Sequence, residues 1–498
     1  MSAGLPPDVS SVGLPNEMQL GNLDFSLPPD AKSMSIKVQP SNIQNISTTF
    51  VVPTGVTNSN IQEISFPSQN LIFDLPCGSS PSMFLDSRFT TLNFSLTVST
   101  PTQAGAAGTY SDSYLRSGAH AFFDRLHICS QNGAIVEDIL EYGLVNDTLI
   151  ALQMNNAVRH GVATQYGFDY SSSTLLGSQG HKIGMLSSGA ALSTSNIETH
   201  SYSIPLTSAL IGVLADKFCN VGRTAKLQLV LQTSNVLPIT VSTGTSFSTS
   251  PNVNVTLSNF SLQCEYVDIG LSALKMLDAS LIDNKAYIHG VTYRTTSTSM
   301  PATQGSVSLL AGLRASSVKS LFCRFAQSGT LSTTNSSNGK FDSSNPCINS
   351  IVFNIGGQKF PQSNINPLLQ PSQAFRETQM AIGSFNNSQF QSCVPPSKYC
   401  KLSANSSITV GLQMGNTVDY NYNAGSNPSE QNQFIFGECL EVVAKRGLLS
   451  GYNCTSAPIF VEMNCAYAPT NAHTLYTIGM LDTIFVHNLI DGDISSRV

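Results

Sequence analysis

Few residue pairs in this sequence could bind a metal. His127 and Cys129 are two positions apart in a β-type run, so an imidazole and a thiol would share one face of a strand. A structural zinc site takes four ligands, so we interpret this pair as ordinary strand packing. Asp491-Gly492-Asp493 resembles part of a calcium loop without its other oxygen ligands, which favours a polar turn or tail. We therefore expect no metal site and no cofactor.

The other histidines show no catalytic pattern. None has a Ser, Cys or carboxylate at an informative spacing: His120, His160, His181, His200, His289, His473 and His487. The sequence lacks G-x-S-x-G, P-loop, G-x-G-x-x-G and H-E-x-x-H motifs. A triad assembled from distant segments stays open. The sequence indicates no catalytic or cofactor-binding residue, and we expect that the chain is not an enzyme.

The eleven cysteines are widely spaced, odd in number and without a C-x2-C pair. This pattern does not support a zinc ribbon or finger, and it favours reduced, mostly buried thiols. A disulfide formed late, for example Cys393–Cys400, is the alternative. Nine Asn-x-Ser/Thr sequons are about as many as this composition gives by chance, so they do not indicate glycosylation.

Composition excludes several classes of protein. Only 11% of the 498 residues are charged, against about 25% in a typical domain, and 41% are hydrophobic. This balance excludes a disordered chain. No apolar run is long enough to span a membrane, and the start MSAGLPPDVSSVGLPNE has neither region of a secretory signal. With a net charge of −6 and no Lys/Arg run, we expect no electrostatic or sequence-specific binding of nucleic acid.

The elements predicted after residue 47 are mostly short strands. Residues 89–97, 227–231 and 459–465 alternate apolar with polar side chains. Helical spacing is confined to Tyr142–Asn155, Leu271–Leu281 and a segment that opens at Pro371. Long Ser/Thr/Asn/Gly-rich loops separate the strands, and we expect most of them on the outer surface: 157–199, 236–252, 327–346 and 416–432.

The chain repeats one pattern of elements. Three elements recur in order about 220–235 residues apart: a hairpin at 123–137 and 348–360, a strand at 226–231 and 458–463, and a final strand at 255–267 and 475–486. We therefore predict an all-β chain with two consecutive antiparallel β domains and a few short helices. The expected limits are an extended N-terminal arm (1–47), a first domain (48–270), a linker helix (271–283), a second domain (284–490) and a C-terminal tail (491–498).

Two passages resemble double jelly-roll major capsid proteins of the polinton-like virus, adintovirus and virophage type. The first is Ile204-Pro205-Leu206 with Leu210–Leu214 and Val221-Gly222, and the second is Ser450-Gly451-Tyr452-Asn453 with Pro458 and Val461. The resemblance implies two eight-stranded jelly rolls and a homotrimeric capsomer of hexagonal outline in an icosahedral shell. It also implies a virion around a DNA genome, assembled inside a host cell, with neighbouring capsomers and with penton and minor or cement proteins as partners.

Two other functions remain open at this level. A β-rich surface adhesin or glycan-binding protein would need a secretion route that the sequence does not reveal. A β-sandwich glycan hydrolase would need paired carboxylates in a cleft, and no convincing pair is present among 30 acidic residues. Electron microscopy of the purified protein would separate these functions from a shell.

Overall fold

A computed structural model describes most of the chain. The described residues are 31–51, 64–100, 110–130, 132–168, 179–183, 196–215, 217–243, 252–281, 283–327, 340–385, 392, 394, 399–400, 433–441, 450–469 and 471–497.

Most of the elements are strands. In the first half they are β1 (Lys32–Val38), β2 (Ile46–Val51), β3 (Ile64–Ser65), β4 (Asn70–Asp74), β5 (Met83–Thr100), β6 (Tyr110–Arg116), β7 (Phe123–Ser130), β8 (Ile135–Leu140), β9 (Gln179–Ile183), β10 (Asn196–Pro205), β11 (Leu227–Thr233), β12 (Val236–Leu237), β13 (Ile239–Thr243) and β14 (Asn252–Asp268). In the second half they are β15 (Lys285–Met300), β16 (Ser306–Ala311), β17 (Val318–Gln327), β18 (Ile348–Ile355), β19 (Gln358–Ile365), β20 (Ile435–Cys439), β21 (Ile459–Cys465), β22 (His473–Asn488) and β23 (Asp493–Arg497). The helices are α1 (Tyr142–Gln153), α2 (Asn156–Gly161), α3 (Ala163–Tyr166), α4 (Gly270–Ser280) and α5 (Pro371–Ile382).

The two halves have the same sheet topology. In the first, one sheet has the order β1-β14-β5-β10, with β2 also on β14, and the facing sheet has the order β4-β11-β7-β8. In the second, the orders are β15-β22-β17-β20, with β23 on β22, and β16-β21-β18-β19. When the eight main strands of each half are numbered in chain order, they take the same places in the two sheets. The fold is therefore a double jelly roll, as predicted.

Each jelly roll has a loop end and a turn end. In the first jelly roll, Thr100 pairs with Asn196 and Ser99 pairs with Asn254. The C-terminus of β5 and the N-termini of β10 and β14 therefore lie at one end. In the second, His473 pairs with both Met300 and Gln327. We call this the loop end, because the longest connections, 141–195 and 366–434, leave the strands there. The turn end carries the opposite termini, where Asp268 pairs with Met83 and Asn488 pairs with Lys285.

A continuous hydrophobic core runs through both jelly rolls. In the first, Phe94 contacts Phe123 edge-on at 5.4 Å between ring centroids. In the second, Phe353 stacks on Phe436 at 6.0 Å. Apolar side chains on alternate positions of β5 and β14 face this core, which is the pattern expected of strands in a sandwich.

The sequence predicted both hairpins and the three longer helices. The turns after β7 and β18 use Gly133 (φ 72°) and Gly356-Gly357 (φ 58° and 91°), conformations that suit glycine. Helices α1, α4 and α5 coincide with the three segments of helical spacing, and α5 begins with Pro371.

Both termini differ from the expected limits. Residues 32–38, expected in an arm over 1–47, form the edge strand β1, and β2 on the same strand β14 begins at Ile46, two residues before the expected start of the first domain. Met34, Ile36 and Val38 share one face of β1, and of these Ile36 and Val38 are partly buried against the core. Residues 493–497, expected in a tail, pair with β22. The helix expected at 271–283 begins at Gly270 and ends at Ser280. The remaining domain limits stay predictions.

Candidate functional site

The two jelly rolls meet along a seam that contains buried charges. Arg324 on β17 is 0% exposed, and its Nη1 donates to Oδ2 of Asp147 on α1 at 2.5 Å and to Thr148 at 3.0 Å. Its Nη2 donates to the carbonyl oxygen of Phe341 at 2.9 Å, and Ser117 donates to the same Asp147 carboxylate. A buried guanidinium needs such partners, because an unpaired charge in the interior is costly.

A second ion pair lies beside the first at the loop end. Lys340 binds Asp124 and also lies 3.2 Å from Oε2 of Glu141. Burial alone would lower the pKa of Lys340, but the charges of Glu141 and Asp124 outweigh it, and the pKa is raised. Part of the predicted 327–346 surface loop is therefore inside, because residues 341–345 are buried next to this pair.

The middle of the seam is held by the buried carboxylate of Glu137 on β8. It accepts hydrogen bonds from Ser208 Oγ at 2.5 Å and from the Ala209 amide at 2.9 Å. Thr292 of the second jelly roll donates to the same carboxylate at 3.0 Å. Burial raises the pKa of Glu137, and these three donors oppose that shift.

Contacts at the turn end complete the seam. Arg223 forms a two-point ion pair with Asp278 of α4, at 2.7 and 2.6 Å. Thr224 lies 3.3 Å from Nε2 of His487. Burial and the positive charge of nearby Arg223 lower the pKa of His487 to about 4. Loop-end residues thus meet loop-end residues, and turn-end residues meet turn-end residues. The two jelly rolls therefore lie side by side in the same direction, with their loop ends together.

Both passages that carry the sequence resemblance have structural roles at close contacts. A Cβ on Gly212 would lie 2.1 Å from the carbonyl oxygen of Leu206, so only glycine fits the turn that presents Ser208 and Ala209 to Glu137. A Cβ on Gly451 would lie 2.5 Å from the backbone of Val318, where Tyr452 forms an isolated bridge with β17. The first passage therefore supports the seam, and the second closes against a strand of the second jelly roll.

The candidate metal residues do not converge. His127 and Cys129 lie on β7, and among the described residues no group of three or more His, Cys, Asp or Glu side chains could hold a metal ion. Asp491 accepts a hydrogen bond from Asn488 at 2.6 Å in the turn before β23, and Gly492 packs against Arg223. This segment is a polar turn, as the sequence predicted.

The remaining histidines lie apart. His120 and His473 are buried, and burial lowers their pKa values to about 3 and about 4. His200 lies 3.3 Å from Glu198, and His289 lies 3.6 Å from Asp482. The side chains of His160 and His181 lie outside the described part.

The cysteines within the described ranges are free thiols. Burial raises the pKa of Cys219 to about 12 and that of Cys77 to about 11, so these thiols are poor nucleophiles. Cys393, half of the alternative disulfide, and the loop 416–432 lie outside the described residues.

The sequence analysis did not identify the residues of the seam. Arg324 stands in the apolar run Leu321–Ala326, and Asp147 lies inside a helix that is buried along its length. A charge within an apolar run is a signal of a buried partner, but the partner is 177 positions away in the sequence. Within the described residues, no helix is long and apolar enough to cross a bilayer.

Comparisons with known proteins agree with this architecture. No family model matches the sequence, and no curated protein matches it. A chain in the cryo-EM structure of the Sputnik virophage superposes with a TM-score of 0.51 at 12% identity, covering 100% of this chain and 95% of that one. The Faustovirus major capsid protein superposes with a TM-score of 0.50 at 8% identity, covering 93% of this chain and 92% of that one. At the level of fold, the chain is thus similar to double jelly-roll viral capsid proteins over nearly its whole length.

Proposed function

We propose that this chain is a major capsid protein whose homotrimers form pseudo-hexameric capsomers of an icosahedral shell around a DNA genome. The observation that carries the proposal is the seam, which joins two jelly rolls of equal topology in the same direction. Such a unit supplies two similar lateral building blocks, and three copies around an axis supply six.

The edges of the two jelly rolls support a closed ring. Within the chain, β8 at the edge of the first jelly roll packs against β15 of the second. In the second jelly roll, the strand equivalent to β8 is β19. In the first jelly roll, the strand equivalent to β15 is β1. Both β19 and β1 are mostly exposed. If β19 of one copy meets β1 of the next, the contact inside the chain is repeated between chains, as a closed ring of three copies requires.

The common direction of the loop ends suits a shell. The longest connections of both jelly rolls, 141–195 and 366–434, leave one end of the unit, so that end can face outwards while the sides stay available for neighbours. Neutral, polar loops also limit charge repulsion between many identical copies. The net charge of −6 argues against direct DNA binding by the chain as a whole. Penton and minor or cement proteins would complete the particle in the virion, after assembly inside the host cell.

This role requires no catalysis. The domain limits near 270 and 284 fit a capsomer in which α4 connects the two jelly rolls. We propose these limits with the function.

Electron microscopy and mass measurement of the purified full-length chain test the proposal. We expect particles of hexagonal outline and a mass three times the chain mass of 53.1 kDa. A stable monomer at high concentration would contradict the trimer. Specific binding to a glycan array by such a monomer would instead favour the adhesin or glycan-binding alternative.

A further inference from the structure

A four-residue bulge on β5 carries an exposed aromatic and arginine cluster. Asp86 of β5 pairs with Glu265 of β14, and Thr91 pairs with Gln263, so four residues of β5 lie opposite a single residue of β14. A bulge of this size pushes side chains out of the sheet, and bulges often redirect side chains at binding sites. Arg88 and Phe89 are at the tip of this bulge.

The side chain of Arg88 is held between two phenyl rings. Its Cζ lies 5.9 Å from the ring centroid of Phe89 and 5.6 Å from that of Phe218, both within cation–π range. Asp86 fixes the guanidinium by accepting from Nε at 3.1 Å and from Nη2 at 3.3 Å. We call Arg88, Phe89 and Phe218 the bulge cluster.

The side chains of the bulge cluster are exposed to solvent. Phe89 is 60% exposed, Phe218 is 37% exposed and the Arg88 side chain is 57% exposed. Among the described residues, Nη1 of Arg88 has no hydrogen-bond partner, so two N–H groups remain available for a carboxylate. Rigid aromatic and arginine side chains are the composition typical of interaction hot spots.

The chain itself contains a segment with the complementary chemistry. Residues 1–30 carry four carboxylates, no Lys or Arg, and many apolar side chains. Near the end of this segment, Leu23, Phe25 and Leu27 alternate with Asp24 and Ser26. In an extended conformation, the three apolar side chains would share one face.

The segment is also within reach. Lys32 pairs with Asp268, which pairs with Met83 at the start of the bulged strand. Two strand spacings and the length of β14 between Asp268 and Gln263 put the cluster about 20 Å from Lys32. The seven residues from Phe25 to Lys32 span up to about 23 Å when extended. A tether of this length gives a high effective concentration at the cluster.

We infer that the bulge cluster is the docking site of residues 1–30 of this chain. The phenyl rings of the cluster would receive the apolar face that carries Phe25, and Nη1 of Arg88 would receive a carboxylate of the same segment. This inference does not depend on the proposed shell, because it concerns a contact within the chain.

Photocrosslinking of the full-length protein tests the occupant. Phe89→p-benzoylphenylalanine keeps an aromatic ring at the exposed position, and mass spectrometry of the crosslinked peptides identifies what lies against it. We expect crosslinks to residues 17–30. Crosslinks to a jelly roll of another copy, or none at all, would overturn the inference. The matched control places the same residue at Ile197, which is 66% exposed at the loop end of β10.

Hydrogen exchange provides an independent measurement on the full chain. We expect Phe89→Ser to speed exchange of amides in 17–30 at least tenfold, while amides of β14 keep their protection and report an intact fold. Ile197→Ser at the loop end should leave 17–30 unchanged. Equal exchange of 17–30 in the wild type and in Phe89→Ser would overturn the inference.

Discussion

Arg324 and Asp147 show what a buried charge pair contributes to this molecule. Their side chains are 0% and 3% exposed, and each belongs to a different jelly roll. Replacing both partners with apolar residues can be neutral, whereas removing one leaves a buried charge without a partner. The pair therefore fixes how the two jelly rolls fit together more than it adds net stability.

We predict that Arg324→Met destabilises the protein by about 3–5 kcal/mol, because Asp147 then stays buried without its cation. Asp147→Leu should cost a similar amount. The double variant should cost less than the sum of the two, since neither charge remains. Urea unfolding of the four proteins measures this coupling, and strictly additive effects would contradict it.

The carboxyl group of Glu438 on β20 is buried without a cation beside it in the described part of the chain, so its protonated form is favoured. It is 7% exposed, and its Oε2 has no hydrogen-bond partner among the described residues. Burial, together with the negative charge of Glu377, raises its pKa to about 8. Because the pKa of Glu438 is raised in the folded state, its contribution to stability is complete below the unfolded-state pKa of about 4.5. This contribution is lost as the pH rises to about 8.

We therefore predict that Glu438→Gln stabilises the protein in a pH-dependent way. The neutral amide mimics the protonated acid, so the variant should match the wild type at pH 4.5 and exceed it increasingly up to pH 8. One pKa unit is worth about 1.4 kcal/mol, which sets an upper bound of about 5 kcal/mol at pH 8. Unfolding midpoints across this pH range measure the difference. A constant difference would show that Glu438 does not titrate there.

At the scale of elements, the turn around Gly212 places Ser208 and Ala209 against Glu137. We predict that Gly212→Ala destabilises the protein by about 1–3 kcal/mol, because its Cβ would overlap the backbone of Leu206. Gly161→Ala in α2 is the matched control, since nothing lies within 4 Å of its Cβ. Alanine there should be neutral or slightly stabilising. Equal unfolding midpoints for the two variants would contradict a steric role of Gly212.

Local sequence signals predicted those elements that carry their own pattern. The alternation in β11 and β21, the Asn-Gly turn after β7 and the proline that opens α5 are each visible within about ten residues. The edge strand β1 was missed although Met34, Ile36 and Val38 alternate with polar residues, because this short run follows a Pro-, Ser- and Asp-rich segment. The bulge of β5 was missed because Phe89 stands in a run whose alternation is otherwise that of a regular strand.

Contacts between distant segments could not be predicted in the same way. The carboxylate of Glu137 sits in a hairpin strand, where a charged side chain normally faces water. It is buried because Ser208 and Ala209, 71 and 72 positions later, and Thr292 of the second jelly roll, 155 positions later, all donate to it. The duplication predicted that there are two units, but not which residues join them, because the joining residues are not repeated between the halves.

At the scale of the whole molecule, the seam makes the two jelly rolls one unit and leaves β1 and β19 as free edges. Lys32 and Lys37 are exposed on β1, and Gln362 and Asn364 are exposed on β19. If these edges meet in the trimer, the charge placed on β19 should control assembly without changing the fold.

We predict that Gln362→Lys with Asn364→Lys weakens trimers at least about tenfold at low salt, because like charges across an interface repel. Gln362→Glu with Asn364→Glu should strengthen trimers, and high salt should reduce both effects. Ser272→Lys with Ala279→Lys on the exposed face of α4 controls for added charge alone. Sedimentation equilibrium gives the trimer fraction, and circular dichroism checks the fold. If the lysine and glutamate variants associate equally, β19 is not the edge that meets β1, and ring closure must use another surface.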